Sequence, residues 1–261
     1  MLNKRILCLL VVLLLLIPAT VVQAAVVVDK SQLESGIVSI NYDTEKDVRF
    51  KVMVNKGTLN YFYDLKEGSI VPLQMGNGDY EVSILENIKG NKYRIVKKER
   101  ITTNLADENS VYLQSMQLIC WNEDMDIIKK AKELTVNAKD DNEKLKAVYD
   151  YVTKNMKYDY QKFSKLSNDY IPSIEEVSKD GKGICYDYAV MTAAMLRSLG
   201  VPTKLIMGYK SGLIEYHAWN QVYLDDKWIT LDTTLDAIQI QGKRSTPLEK
   251  DATLYSVLKE Y

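Results

Sequence analysis

The sequence predicts an α+β protein in which a small antiparallel β-sandwich precedes a mixed region of helices and antiparallel strands. Three observations carry that prediction. Apolar residues alternate with period two from about Gly36 to Thr103, and the period becomes helical after Asn104. A set of strands then follows one long helix between Thr203 and Asp232.

In the first region Val48, Phe50, Val52 and Val54 alternate with Arg49, Lys51 and Met53, as one half-buried strand requires. Tyr61 and Tyr63, then Tyr80, Val82 and Ile84, repeat the pattern. Gly76-Asn77-Gly78 and Lys89-Gly90-Asn91 supply turn residues between them. Short strands at this spacing predict a sandwich of about 80 residues with no catalytic cluster of its own. Beyond it, Ile127, Ile128, Ala131 and Leu134 fall at helical spacing, as do Leu145, Val148 and Val152. Asp140 with Glu143, and Ser173 with Glu176, read as helix-starting caps. Thr246-Pro247-Leu248-Glu249 carries the same signature and predicts a last helix through about Leu258. The expected organisation is a leader at 1–24, a β-sandwich domain at 25–115 and a second domain at 116–261.

The leader reads as a secretory signal peptide. Lys4 and Arg5 precede an unbroken apolar run, Ile6 to Ile17. Pro18 and Thr20 then interrupt it before the small-residue site Val22-Gln23-Ala24. The rival reading is an uncleaved anchor, because the apolar residues Ala25 to Val28 extend the run. Cys8 lies inside the run, which argues against a lipoprotein. Either way the protein is expected to be secreted or extracytoplasmic.

Composition narrows the chemistry. The 261 residues are 46% hydrophobic and 26% charged, which excludes a disordered chain, and the net charge of −1 excludes a strongly basic nucleic-acid binder. His217 is the only histidine, too few for a His-based zinc site. Loss of residues 1–24 removes Lys4 and Arg5 and no acid, moving the net charge from −1 to −3 and leaving Cys120 and Cys185. These two could bridge in an oxidising compartment, giving a disulfide-stabilised structural protein, or stay as thiols.

Cys185 follows Gly181 and Gly183 and opens an Ala-, Met- and Leu-rich run that stops at Leu199-Gly200-Val201-Pro202. It therefore sits in the first turn of a helix of about four turns. Unpaired N–H groups and the helix dipole favour an anion there, and a backbone N–H can donate to a developing oxyanion. Strands are expected at 203–209, 216–224 and 227–232, with Asp225-Asp226 as a tight hairpin turn. That turn sets Leu224 opposite Lys227, hence Trp219 opposite Asp232. His217 and Asp232 become diagonal neighbours on one face, with backbones ~7–8 Å apart. A thiol at a helix start, the chain's one imidazole and a carboxylate beside it are the parts that nucleophilic cysteine catalysis needs.

This stretch resembles the transglutaminase-like cysteine enzymes. The resemblance rests on Gly183-Ile184-Cys185, on His217-Ala218-Trp219-Asn220, and on Trp228 ahead of Asp232. The helix end Leu196 to Pro202 and the lead-in Tyr151-Val152 through Lys157-Tyr158-Asp159 add to it. It covers roughly residues 140–236. It implies a papain-like α+β core, with the cysteine helix packed on an antiparallel sheet. It also implies Cys185 as nucleophile, His217 as general base then acid, and Asp232 as the group that orients the imidazole. Thr233 stands where many members have Pro, and Gln221 where Glu is common; both bear on substrate choice. Asp225-Asp226 is too sparse for a calcium site, so neither metal nor cofactor is expected. Tyr158 is a candidate second oxyanion donor, and Trp219 and Trp228 either wall the groove or pack the sheet. Cys120 lacks a nearby base and is expected to be buried and inert.

The function these readings favour is an exported cysteine-dependent acyl-transfer enzyme acting on peptide or glutamine carboxamide bonds through a thioester. Water would make it a peptidase or amidase, an amine a transglutaminase, with a lean towards protease-like activity. The expected partner is a protein or peptide of the cell envelope, not nucleic acid, with a membrane touched only through an uncleaved leader. The alternative is a non-catalytic envelope module in which the core is a scaffold and the β-sandwich binds.

Overall fold

The computed structural model describes residues 26–42, 48–66, 68–167 and 169–261, so the leader at 1–24 lies outside the described residues. Its first strands are β1 (Val26–Asp29), β2 (Ile37–Tyr42), β3 (Phe50–Lys56), β4 (Leu59–Asp64), β5 (Ser69–Pro72), β6 (Gly78–Lys89) and β7 (Lys92–Thr103). They form two antiparallel sheets, ordered β1-β2-β5 and β4-β3-β6-β7. The alternation read from the sequence decides what they bury. Val38 and Ile40 of one sheet meet Phe50, Val52, Val54, Tyr61, Tyr63, Tyr80, Val82 and Ile84 of the other in a single apolar cluster. This is the expected sandwich, with Val48 exposed just ahead of β3.

After a 3-10 turn at Glu108–Leu113 come α1 (Asp126–Leu134), α2 (Asp141–Asn155), β8 (Lys157–Tyr158), α3 (Tyr160–Ser164), α4 (Ile174–Asp180), β9 (Lys182–Gly183) and α5 (Cys185–Ser198). The chain continues through β10 (Thr203–Lys210), β11 (His217–Leu224), β12 (Lys227–Leu231), α6 (Thr233–Gln241), β13 (Glu249–Lys250) and β14 (Tyr255–Glu260). The predicted caps operate. Asp140 accepts from the Glu143 N–H at 2.8 Å, and Ser173 from that of Glu176 at 3.4 Å. Strands β13-β12-β11-β10-β14 make one antiparallel sheet. Helix α5 lies against it, buried along almost its whole length, and its run of Ala and Met lets neighbouring helices approach closely. Asn220 of β11 fastens helix to sheet, donating to the Ala189 carbonyl at 2.9 Å and the Lys204 carbonyl at 3.0 Å.

Two expectations fail. The helix predicted through Leu258 is absent. Thr246 donates its hydroxyl to Asp236 instead of capping, a single 3-10 turn follows at Ala252–Leu254, and Tyr255–Glu260 runs as strand β14. The tertiary context wins: β10 has an open edge, and Tyr255 and Val257 suit a strand that pairs with it. Cys120 is exposed rather than buried. A tight bridge between Met116 and Ile119 turns Ile119 into the core and the next residue outward.

Close approach of β14 to β10 depends on Gly208, which lies at an irregularity in their pairing. A Cβ there would stand 2.0 Å from the Ser256 carbonyl oxygen and 3.0 Å from the Trp219 ring. The substitution G208A should therefore force β14 outward and cost about 2 kcal/mol or more in urea unfolding. An unchanged midpoint would mean that β14 docks differently.

Candidate active site

The site is built at the start of α5. The parallel pair β8–β9 sets Tyr158 opposite Gly183, with the Asp159 N–H bonded to the Gly183 carbonyl at 2.9 Å. Asp187, in the first turn of α5, reaches back and accepts from the Ile184 N–H at 2.7 Å, which fixes the turn that Cys185 opens. Asp187 is fully buried, paired with Lys162 at 2.8 Å and hydrogen-bonded by the Tyr170 hydroxyl. Its side chain packs so tightly on Gly183 that a Cβ there would come within 2.5 Å of the Asp187 Cβ and 2.8 Å of its Oδ2. The glycine of Gly183-Ile184-Cys185 is thus required by the close approach of the Asp187 side chain.

The sheet supplies the other two residues. Asp225 and Asp226 both have positive φ, 49° and 61°, as a two-residue hairpin turn demands. Leu224 pairs with Lys227 and Asn220 with Leu231, the register expected from the sequence. His217 and Asp232 meet as that register requires, with His217 Nε2 2.9 Å from Asp232 Oδ2. Asp232 lies one residue past β12, where it caps α6 by accepting from the Leu235 N–H at 3.1 Å through Oδ1. The cap makes its rotamer a consequence of backbone geometry.

All three side chains are buried, Cys185 at 8%, His217 at 5% and Asp232 at 0% exposure. Burial alone would push the imidazole pKa down. The hydrogen bond and charge of Asp232, together with interaction with the Cys185 thiol, outweigh it and push His217 up to about 9. Tyr158 also feels Cys185: burial first, and the thiol next, push its phenol up to about 12. Tyr158 therefore keeps its phenolic proton.

Sequence reasoning missed Tyr255. Its hydroxyl donates to Asp232 Oδ2 at 3.0 Å, and its ring packs on Trp219 with centroids 5.0 Å apart. The β-favouring run Tyr255-Ser256-Val257 was the available signal, masked by the cap-like Thr246-Pro247. Trp219 is buried and stacks on His217 at an interplanar angle of 21°. Trp228 instead packs on Tyr112 and Tyr223. Among the described residues Cys120 and Cys185 are both free thiols and do not bridge each other.

Residues 128–233 match the family described as the transglutaminase-like superfamily. The chain carries a transglutaminase-like domain. UPF0252 protein MJ1282 of Methanocaldococcus jannaschii is 27% identical over 143 residues, which is 50% of this chain and 41% of that protein. The chain thus spans about two fifths of this curated relative's length. Among solved structures, a TGase is 25% identical over 41% of this chain and 29% of its own, with a TM-score of 0.34. Legionella pneumophila LapG is 19% identical, covering 52% and 68% of the two chains, at a TM-score of 0.39. The periplasmic domain of Pseudomonas aeruginosa TgpA is 12% identical, covering 78% and 93%, at 0.41.

The raised His217 pKa has a consequence for stability. The unfolded imidazole titrates near 6.5, whereas the folded one titrates at about 9. Between these values the folded protein holds a proton that the unfolded chain releases. The stabilisation is therefore complete below pH ~6.5 and is lost as pH rises through about 9. Urea unfolding of C185S, in which no thiol can release a compensating proton, should show stability lost across that window relative to C185S/H217Q. Parallel pH curves would show that the imidazole is not held protonated.

Proposed function

We propose that the protein is an exported cysteine-dependent acyl-transfer enzyme with Cys185, His217 and Asp232 as its catalytic residues. The observation that carries this reading is the convergence on one buried imidazole of a helix-start thiol and a carboxylate. The thiolate attacks a peptide or carboxamide carbonyl carbon, and the new oxyanion is met by a backbone N–H at the start of α5 and by the Tyr158 hydroxyl. His217, protonated, gives its proton to the leaving nitrogen as the C–N bond breaks. Water or an amine then attacks the thioester, His217 takes the attacker's proton, and the thiolate leaves. The substrate is a peptide or protein of the cell envelope, and hydrolysis is the favoured outcome. Export rests on the leader sequence. Tyr255 is a positioning residue, holding Asp232 from the side opposite its cap.

The test needs no known substrate. In residues 25–261, alkylation by iodoacetamide is followed separately at Cys185 and Cys120 by mass spectrometry from pH ~4 to 9. Cys185 should react faster than Cys120 below neutrality, and H217A should abolish the difference. Alkylation of Cys185 that follows the same pH curve as Cys120 would sink the catalytic reading and leave the binding-module alternative.

Two further variants separate roles. Y255F should slow Cys185 alkylation about tenfold at acid pH by loosening Asp232, on the scale of lost outer-shell support. Y158F should leave that rate unchanged yet lower turnover of a peptide substrate by about 100-fold, as loss of an oxyanion donor does. If Y158F alters KM alone, Tyr158 binds substrate and is not an oxyanion donor.

A further inference from the structure

One end of the β-sandwich carries a feature that the proposed catalysis does not use. The hairpin β6–β7 outruns its neighbour: β3 pairs with β6 only as far as Glu86, while β6 and β7 continue together to Lys89 and Lys92. Two irregularities interrupt this outer part, at Ile84/Leu85 and at Asn87/Lys89. They leave Ile88 63% exposed, with Ile95 and Val96 exposed near it on β7. Val48 and Val27 are exposed at the same end of the sandwich, as its topology requires. Val26 pairs with Tyr42, the Tyr42 ring packs on Phe50 at 4.4 Å, and Phe50 pairs with Glu86.

Charge is concentrated there as well. Residues 48–49 and 86–100 together hold seven Lys and Arg against two Asp and Glu, in a chain whose net charge is −1. Arg94 is paired with Glu86 and Lys98 with Glu81, while Asp169 faces Arg49. Lys89 and Lys92, flanking the turn, have no carboxylate within ion-pair distance among the described residues. Lysines on an edge strand also guard against strand-to-strand aggregation. That role does not account for aliphatic side chains left exposed beside them. The chain enters the fold at this end too, at β1, after the apolar run Ile6 to Ile17.

We infer that the β6–β7 hairpin end of the sandwich docks on an anionic phospholipid surface. Lys89 and Lys92 meet the headgroup phosphates, and Ile88, Ile95 and Val96 enter the interfacial layer. Basic residues near an anionic leaflet and apolar side chains in the boundary region act additively, each too weak alone for stable attachment. The chain's entry point lies at this same end, so a retained leader and the hairpin would engage one membrane together.

The test is co-sedimentation of residues 25–261 with vesicles of phosphatidylcholine alone or mixed with phosphatidylglycerol. The expected result is binding to the mixed vesicles only, weakening with salt. K89E/K92E and I88S/V96S should each lower that binding about tenfold or more. Both should leave Cys185 alkylation unchanged, which separates this proposal from the catalytic one. Absence of binding to anionic vesicles overturns it, as does binding that neither variant alters. If K89E/K92E abolishes binding while I88S/V96S has no effect, and heparin competes fully, the hairpin reads a soluble polyanion and the membrane assignment is wrong.

Discussion

The buried carboxylate of Asp232 is the constraint around which the site is arranged. A carboxylate withdrawn completely from water is costly unless its oxygens are satisfied. Here Oδ1 takes the Leu235 N–H, and Oδ2 takes both His217 Nε2 and the Tyr255 hydroxyl. No Lys or Arg lies within ion-pair distance of it among the described residues, so the imidazolium of His217 is its only counter-charge. That explains why an imidazole whose burial favours the neutral form nevertheless holds its proton. It also explains why three elements distant in sequence, β11, α6 and β14, meet at one point.

Local chemistry was legible in the sequence where it decides local structure. The Cys185 helix start follows from Gly183 before it and the Gly200-Val201-Pro202 stop after it. The His217–Asp232 contact follows from a two-residue turn whose register is set by chain geometry, and the family match over residues 128–233 covers the same stretch. What escaped detection depends on partners far away in sequence. Tyr255 reaches Asp232 only because β14 fills the open edge of β10, and a local cap signal at Thr246 pointed the other way. Cys120 turned out exposed because a bridge four residues wide, Met116 to Ile119, sets its direction more strongly than the apolar residues around it. Asp187 showed no sequence sign of being the group that makes Gly183 indispensable.

The last strand is one joint between the β-sandwich and the core, beside the two hydrogen bonds that Gln117 exchanges with the Asp64 backbone. The Tyr261 ring packs edge-on against Tyr61 and Tyr63, and the Lys259 ammonium bonds the Asn60 carbonyl at 2.7 Å. Arg197 at the far end of α5 donates to the carbonyls of Thr203, Gln114 and Tyr261, which ties the cysteine helix to the same strand. The helix bearing Cys185 is therefore braced at its start by Asp187 and at its end by Arg197.

Strand β14 thus does two jobs with one set of backbone bonds. At its beginning it steadies the carboxylate behind the imidazole; at its end it holds the sandwich. A segment with both duties cannot detach by degrees. Its opening would disturb the site and this joint to the sandwich in one event, so the slow-exchanging amides of the protein should include those that bind β14 to β10, and the assembled site cannot outlast a single strand pairing.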